Sequence, residues 1–381
     1  MPLGGGDKKF DMSAFGKKVG EFLESHTVAE LPLMDPLVCD EGTNPAEAFK
    51  FMSDNKIRAC PVKSETDGIK IIGCMDQRDA VLHVLDEHRA KCMECKGLFH
   101  ALSFKSQSFK EKAEKERTTQ AGPKGSLAAV SRTSSFSSSF AARRGSLKDK
   151  DKVHDDFGIR GLANMHPFRT FPASALLVQV TEAMAQGEYL VGVTGGSSEH
   201  GGLKGMIDQI AFINFMSECF QGTKIQVKDI YRSSVLPVKT DEQTIKAFEL
   251  MVSKGSSGLA VVDESGMITQ NFSTSDIKIF FDDKQNLAVL HLPIEDYLAK
   301  KVDHTKETKS HQTRAPISVC HADDDLAGVI TKMVKTGYHR VWVVDLDKKP
   351  LGILSLTDVF RKVSQALNGE SDSKSSSCSV S

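Results

Sequence analysis

Neither sign of charge dominates this chain. Its 49 lysines and arginines face 50 aspartates and glutamates. A general nucleic-acid binder carries a basic excess, so the balance argues against that class while leaving room for local basic pockets. Aromatic residues are scarce at 7% of the 381, with a single tryptophan. At 40% hydrophobic residues there is still enough apolar material for one large domain or two ordinary ones. No apolar run approaches the roughly 20 residues that a spanning helix needs. The opening MPLGGGDKKFDM has no apolar stretch of the kind a secretory leader carries. Pro2 follows the initiator methionine where N-myristoylation needs glycine. The eight cysteines follow no even framework and read as reduced thiols of an intracellular protein. The reading is soluble and cytoplasmic, with the nucleus as a further compartment.

Catalytic signatures are missing too. There is no Walker A loop, kinase signature, G-x-S-x-G elbow or H-E-x-x-H helix. Cys92 and Cys95, with His88 and His100 nearby, lack the second pair that a closed zinc site uses, so no metal site is assigned. Two stretches are poor in aliphatic residues, from about Cys95 to Asp155 and from residue 368 to the end. Both are rich in serine and charge, and cannot bury enough surface to offset the entropy of ordering.

What remains is a repeat. In the last copy an extended Thr313–Ile317 leads into a helix whose face carries Leu326, Val329, Ile330, Met333 and Val334. Gly337 ends that helix. The buried strand Arg340–Val344, a turn, the strand Leu351–Leu354 and a second helix from Ser355 follow. The third copy repeats the order through Gly258–Val262 and Ser273–Asp276, and the first through Arg58–Val62 and Gly73–Asp79. The second is weaker, with a strand from Tyr189 to Val193, a glycine loop and Gly205–Asp208. The copies end at Asp79, Ala211, Asp276 and Asp358, and the one oversized interval holds the serine-rich insert. One unit is too small to bury both its faces, so units are expected to pair around a shared core.

Gly352-Ile353-Leu354-Ser355-Leu356-Thr357-Asp358 resembles the signature of cystathionine-beta-synthase (CBS) modules. His339-Arg340 and the strand behind it are similar to the gamma subunit of AMP-activated protein kinase and its yeast and plant relatives. The resemblance implies an α/β fold of four tandem CBS modules arranged as two CBS pairs (Bateman modules). The expected boundaries are an N-terminal extension at 1–30, modules at 31–95, 156–222, 224–300 and 310–367, a linker at 96–155 and a tail at 368–381. The first two modules form one pair and the last two the other, packed head to head as a disc.

The resemblance also implies a function. It is that of a non-catalytic gamma-like subunit that senses AMP, ADP and ATP for a heterotrimeric AMP-activated-type kinase. The nucleotides are regulatory ligands, and no catalytic cofactor is implied. The partners would be the kinase's catalytic (alpha) and scaffold (beta) subunits. Asp79, Asp276 and Asp358 match the family aspartate, which sits at a helix start and can accept ribose hydroxyls. Ser273, Ser355 and Thr357 supply hydroxyls for ribose or phosphate. Arg58, His339 and Arg340 supply charge for phosphate, arginine bidentately. The second module departs, with Ala211 at the aspartate and Glu188-Tyr189 at the basic pair, and the first has Asp76 where the family prefers a hydroxyl. A plain helix cap is the alternative role for each aspartate. A stand-alone adaptor with reduced or no nucleotide sensing is the alternative function. An enzyme with CBS modules as an appendage would need a catalytic domain, and none is present.

Two modifications complete the reading. Arg143-Arg144-Gly145-Ser146 resembles the site of a basophilic kinase, and phosphate on Ser146 would add close to two negative charges. Cys378-Ser379-Val380-Ser381 fits a prenylation signal, the only route this reading gives to a membrane. A single chain would hold it only marginally.

Overall fold

Order in each repeat follows from its signals: an extended lead-in, a helix, two strands and a second helix. The computed structural model describes residues 11–66, 70–91, 158–164, 166–307 and 317–369. Ser146 and Cys378 lie outside the described residues, as do Cys92 and Cys95. Helix α1 (Met12–Ser25) starts on an Asp11 cap. The first module holds β1 (Cys39–Asp40), α2 (Pro45–Asp54), β2 (Ala59–Lys63), β3 (Ile71–Asp76) and α3 (Gln77–Lys91). After α4 (Ile159–Asn164), the second holds β4 (Thr170–Phe171), α5 (Leu177–Ala185), β5 (Leu190–Thr194), β6 (Leu203–Asp208) and α6 (Gln209–Phe215). The third holds β7 (Pro237–Lys239), α7 (Thr244–Lys254), β8 (Gly258–Val262), β9 (Ile268–Ser273) and α8 (Lys278–Asp282), followed by α9 (Ile294–Glu307). The fourth holds β10 (Val319–Cys320), α10 (Leu326–Thr336), β11 (Arg340–Val344), β12 (Pro350–Ser355) and α11 (Leu356–Leu367).

Among the described residues the strands form four three-stranded sheets. In each, the first strand runs parallel to the second and the second antiparallel to the third. A parallel step needs a crossover, and the first helix of the module supplies it. In modules three and four that helix ends on a left-handed glycine, Gly255 and Gly337, each with φ 64°.

Side-chain alternation along the strands sends each sheet into two cores. In β11, Val341 and Val343 face the helices while Trp342 and Val344 face the sheet of module three. In β8, Leu259 and Val261 face helices while Ala260 and Val262 meet Trp342 and Val344. Sheets of modules one and two meet likewise through Ala59, Leu190 and Met206. These sheet-to-sheet layers pair the modules, one with two and three with four. The two large cores run across the pairs instead. One joins modules one and three with α4, and the other joins two and four with α1. A pair therefore shares only the smaller layer, because the helical face of each sheet still needs cover. Helix α1 lies close on α11, where a Cβ at Gly16 would stand 2.3 Å from the Ala366 carbonyl oxygen.

The junction of modules one and three contains a histidine pair. His88 Nε2 and His291 Nε2 are 3.1 Å apart, and His88 is 5% exposed. Burial, then the neighbouring ring, lower the His88 pKa; Glu249 opposes that and Arg89 adds to it. One ring must donate and the other accept, so the accepting ring must be neutral and the contact fails once both are protonated. The folded pKa lies below the unfolded value of about 6.5, so this stability is present above about pH 6.5 and lost as pH falls. The thermal midpoint is expected to drop by a few degrees between about pH 7.5 and 5.5. A His88→Phe variant should lose part of that dependence; an unchanged slope would remove the pair from the account.

Candidate functional site

The register of the ladders puts equivalent residues of the four modules side by side. Ala59, Leu190, Gly258 and Arg340 oppose Asp76, Asp208, Ser273 and Ser355. The residues just before them, Arg58, Tyr189, Ser257 and His339, therefore stand at one equivalent position. Tyr189 thus takes the place of His339, and Glu188 falls one residue earlier. The strand begins at Leu190 and not at Tyr189, because the ladder rather than the run of apolar letters fixes its start.

Three helix-start carboxylates are buried: Asp79 at 0%, Asp276 at 1% and Asp358 at 5% exposure. Asp358 and Ser355 form a capping box, with Ser355 N and Oγ donating to Oδ2 at 3.0 and 2.5 Å. The other oxygen, Oδ1, faces Arg232 Nε at 3.0 Å and Arg361 Nη1 at 3.2 Å. Asp276 repeats the box with Ser273, at 2.7 and 2.9 Å. Asp79 accepts from Asp76 N at 2.7 Å, and its Oδ1 lies 3.8 Å from His166 Nε2.

Phosphate-facing candidates gather where the modules meet. Arg58, Asp76, Gln77, Arg78, Tyr189, Ser257, Thr274 and Arg340 line one small central cavity. Arg340 Nη2 donates to Ser257 Oγ at 2.6 Å, and burial, with Arg232 adding to it, holds its pKa below the usual guanidinium value against the opposing pull of Tyr189, Asp276 and Asp358. Gly258 makes this approach possible, since a Cβ there would lie 2.2 Å from Arg340 Nη1. Arg58 Nη2 donates to Ser275 Oγ at 3.2 Å. His339 sits at the end of the same strand, one residue from Arg340.

Asp76 does not stand as a bare charge against phosphate. Its carboxylate accepts from Arg78 N at 2.7 Å and Nε at 2.6 Å, with a further contact to Nη2. Burial opposes the charge on Arg78, yet Asp76 wins and raises its pKa. Arg78 also lies over the Tyr189 ring at 5.5 Å. In the second module, Asp208 caps α6 through Ala211 N at 2.7 Å, and burial raises its pKa. Burial likewise raises Glu188.

Several residues of this region carry no signal that a single repeat would reveal. Gln77 and Ser275 meet at 2.5 Å, and Gln209 Nε2 donates to Thr357 Oγ1 at 3.0 Å. Each contact crosses from one pair to the other. The twin Asp-Gln at 76–77 and 208–209 is the sequence signal that marks them. The lead-in residues are the second omission. Arg232 and Ile353 exchange backbone hydrogen bonds, Met34 does the same with Met206, and Cys74 N donates to His166 O. The glycine of the signature is what admits these segments. A Cβ at Gly73 would meet Ala163 O at 1.9 Å, and one at Gly352 would meet Arg232 O at 2.4 Å.

Among the described residues no group of three or more His, Cys, Asp or Glu is placed to hold a metal. No helix among them is long and apolar enough to cross a membrane.

Comparison with known proteins accords with this geometry. Residues 28–86, 227–280 and 312–365 match the CBS domain. Protein SDS23 of Meyerozyma guilliermondii is 30% identical over 207 residues, covering 52% of this chain and 38% of the relative. The 5'-AMP-activated protein kinase subunit gamma of Dictyostelium discoideum is 30% identical over 132 residues, covering 34% of this chain and 22% of that one. The chain thus spans well under half the length of the curated relatives it matches. In fold it is similar to a Methanocaldococcus jannaschii protein regarded as a candidate archaeal homologue of the AMPK gamma subunit. There the TM-score is 0.55 at 14% identity, over 87% of this chain and 97% of the other.

Proposed function

Because this chain is a CBS-domain protein related to the AMPK gamma subunit, we propose that it is an adenine-nucleotide-sensing regulatory subunit of an AMP-activated-type kinase. The observation that carries this reading is the arrangement around Asp358. Asp358 is a buried carboxylate at a helix start, Thr357 stands beside it in the chain, and its charge reaches Arg340 at the start of the strand that His339 precedes. The carboxylate suits ribose hydroxyls, and the basic pair suits phosphate. Asp276 with Ser273, and Asp79 with Arg58, are further sites of the same kind. AMP and ADP would compete with ATP, and only a difference in their affinities for two conformations could bias the kinase. The catalytic alpha and scaffold beta subunits are the corresponding partners. The similarity to the gamma subunit of Dictyostelium supports that assignment.

Calorimetric titration with AMP, ADP and ATP tests the reading. Micromolar binding is expected, weakened about tenfold or more by Asp358→Asn, a change of at least ~1.4 kcal/mol. Silence with all three nucleotides would favour an adaptor without sensing. The occupied state of the Asp358 carboxylate and the similarity to fungal SDS23 speak for that second reading.

A further inference from the structure

Both oxygens of the Asp358 carboxylate already have partners. An ionised carboxylate offers about four lone-pair sites. Ser355 N and Oγ use two on Oδ2 and Arg361 Nη1 uses one on Oδ1, while Arg232 Nε stands 3.0 Å from the same Oδ1 as an ion pair. A ribose diol donates two hydrogen bonds, so to reach this carboxylate it has to displace one of these partners. Ser355 belongs to the capping box and holds the helix start. Arg361 is anchored a second time, its Nε donating to Ala185 O at 3.1 Å. Arg232 is the candidate to leave. Its side chain is 54% exposed, and it comes from the lead-in of module three rather than from module four itself.

The pattern recurs elsewhere. At the first module the lead-in of its neighbour places His166 3.8 Å from Asp79. At the second, where the carboxylate is replaced by Ala211, the lead-in residue bridged to Met206 is the uncharged Met34. A basic lead-in residue thus accompanies the carboxylate at two modules and is absent where the carboxylate is absent.

From this we propose that Arg232 is an affinity-setting residue that competes with the ligand's ribose for Asp358 Oδ1. The inference rests on the ribose-binding reading of Asp358. Each binding event exchanges an inter-module ion pair for ribose hydroxyls, so ligand entry uncouples the Arg232 side chain from module four. The ion pair weakens ligand binding instead of supporting it, the reverse of what a basic residue beside a nucleotide site suggests.

Adenosine is the probe, because it has no phosphate for Arg232 to attract. Arg232→Ala is expected to tighten adenosine binding by about fivefold, the scale of a partly exposed ion pair. Raising salt from about 0.05 to 0.5 M should tighten binding to the unaltered protein and leave the variant unmoved. A purely structural role would give no such salt response. Unchanged emission from the buried Trp342 serves as the check that the variant is folded. Binding by both proteins with equal or weaker affinity in the variant overturns the competition while the nucleotide reading stands. Failure of both proteins to bind adenosine or AMP removes the nucleotide reading, and the competition with it.

Discussion

Gly73→Ala is expected to destabilise the protein by ~3 kcal/mol, although it adds one methyl group. The new Cβ would stand 1.9 Å from Ala163 O, 2.5 Å from Ala163 C and 2.9 Å from His166 O. These are backbone atoms and cannot swing aside as a flexible side chain can. Relief would require α4 and the lead-in at His166 to move off β3, breaking the Cys74 N to His166 O bond of 2.8 Å. Gly158→Ala is the control, since nothing lies within 4 Å of a Cβ there and its φ is ordinary. Urea unfolding of both variants decides the matter. A Gly73 variant within ~0.5 kcal/mol of the control would mean that the lead-in yields freely, contrary to its packing here.

Phe360→Ala is expected to cost ~3–5 kcal/mol. Phe360 is fully buried beside Phe212, with ring centroids 5.3 Å apart, and the two rings come from different pairs. The loss should reach well beyond module four, because the core that holds Phe360 is shared with module two and α1. Trp342 allows this to be read directly. It is the one tryptophan of the chain, donates from Nε1 to Asn271 Oδ1 at 3.1 Å, and lies in the separate layer between modules three and four. Its fluorescence transition and the helical circular-dichroism transition should shift together. A Trp342 transition that stays in place would show the cores to be independent.

Much of the fold could be read from the letters. Fully buried strands give unbroken apolar runs such as Val341–Val344, and glycines such as Gly337 punctuate the helices. Four repeats in α/β order follow from those signals alone. The crossing of the large cores could not be read this way. An apolar face shows that it needs cover, but not which of three other modules provides it. The site divides along the same line. Asp358 and Ser355 stand three residues apart, and their pairing is a local helix-start pattern. The Gln209–Thr357 contact spans 148 residues, and Arg232 reaches Asp358 from a segment with no periodicity of its own. Asp76 shows a further limit. Its charge is plain in the sequence, but its neutralisation by Arg78 depends on how both side chains turn at the start of α3.

The crossed cores change what the connection between the two pairs does. A half of this chain, taken alone, would carry an apolar helical face of the kind that in the whole molecule meets the other half. Two separate halves would associate as a dimer, with a strength set by their concentration. Residues 221–226, between the Ser217–Phe220 turn and the Val227–Asp229 turn, join them instead. The junction replaces bulk concentration with a fixed local one, so dilution cannot part the halves. The protein is in effect a tethered dimer, and its two halves are free to diverge in sequence, as Ala211 and Asp358 have, without losing each other.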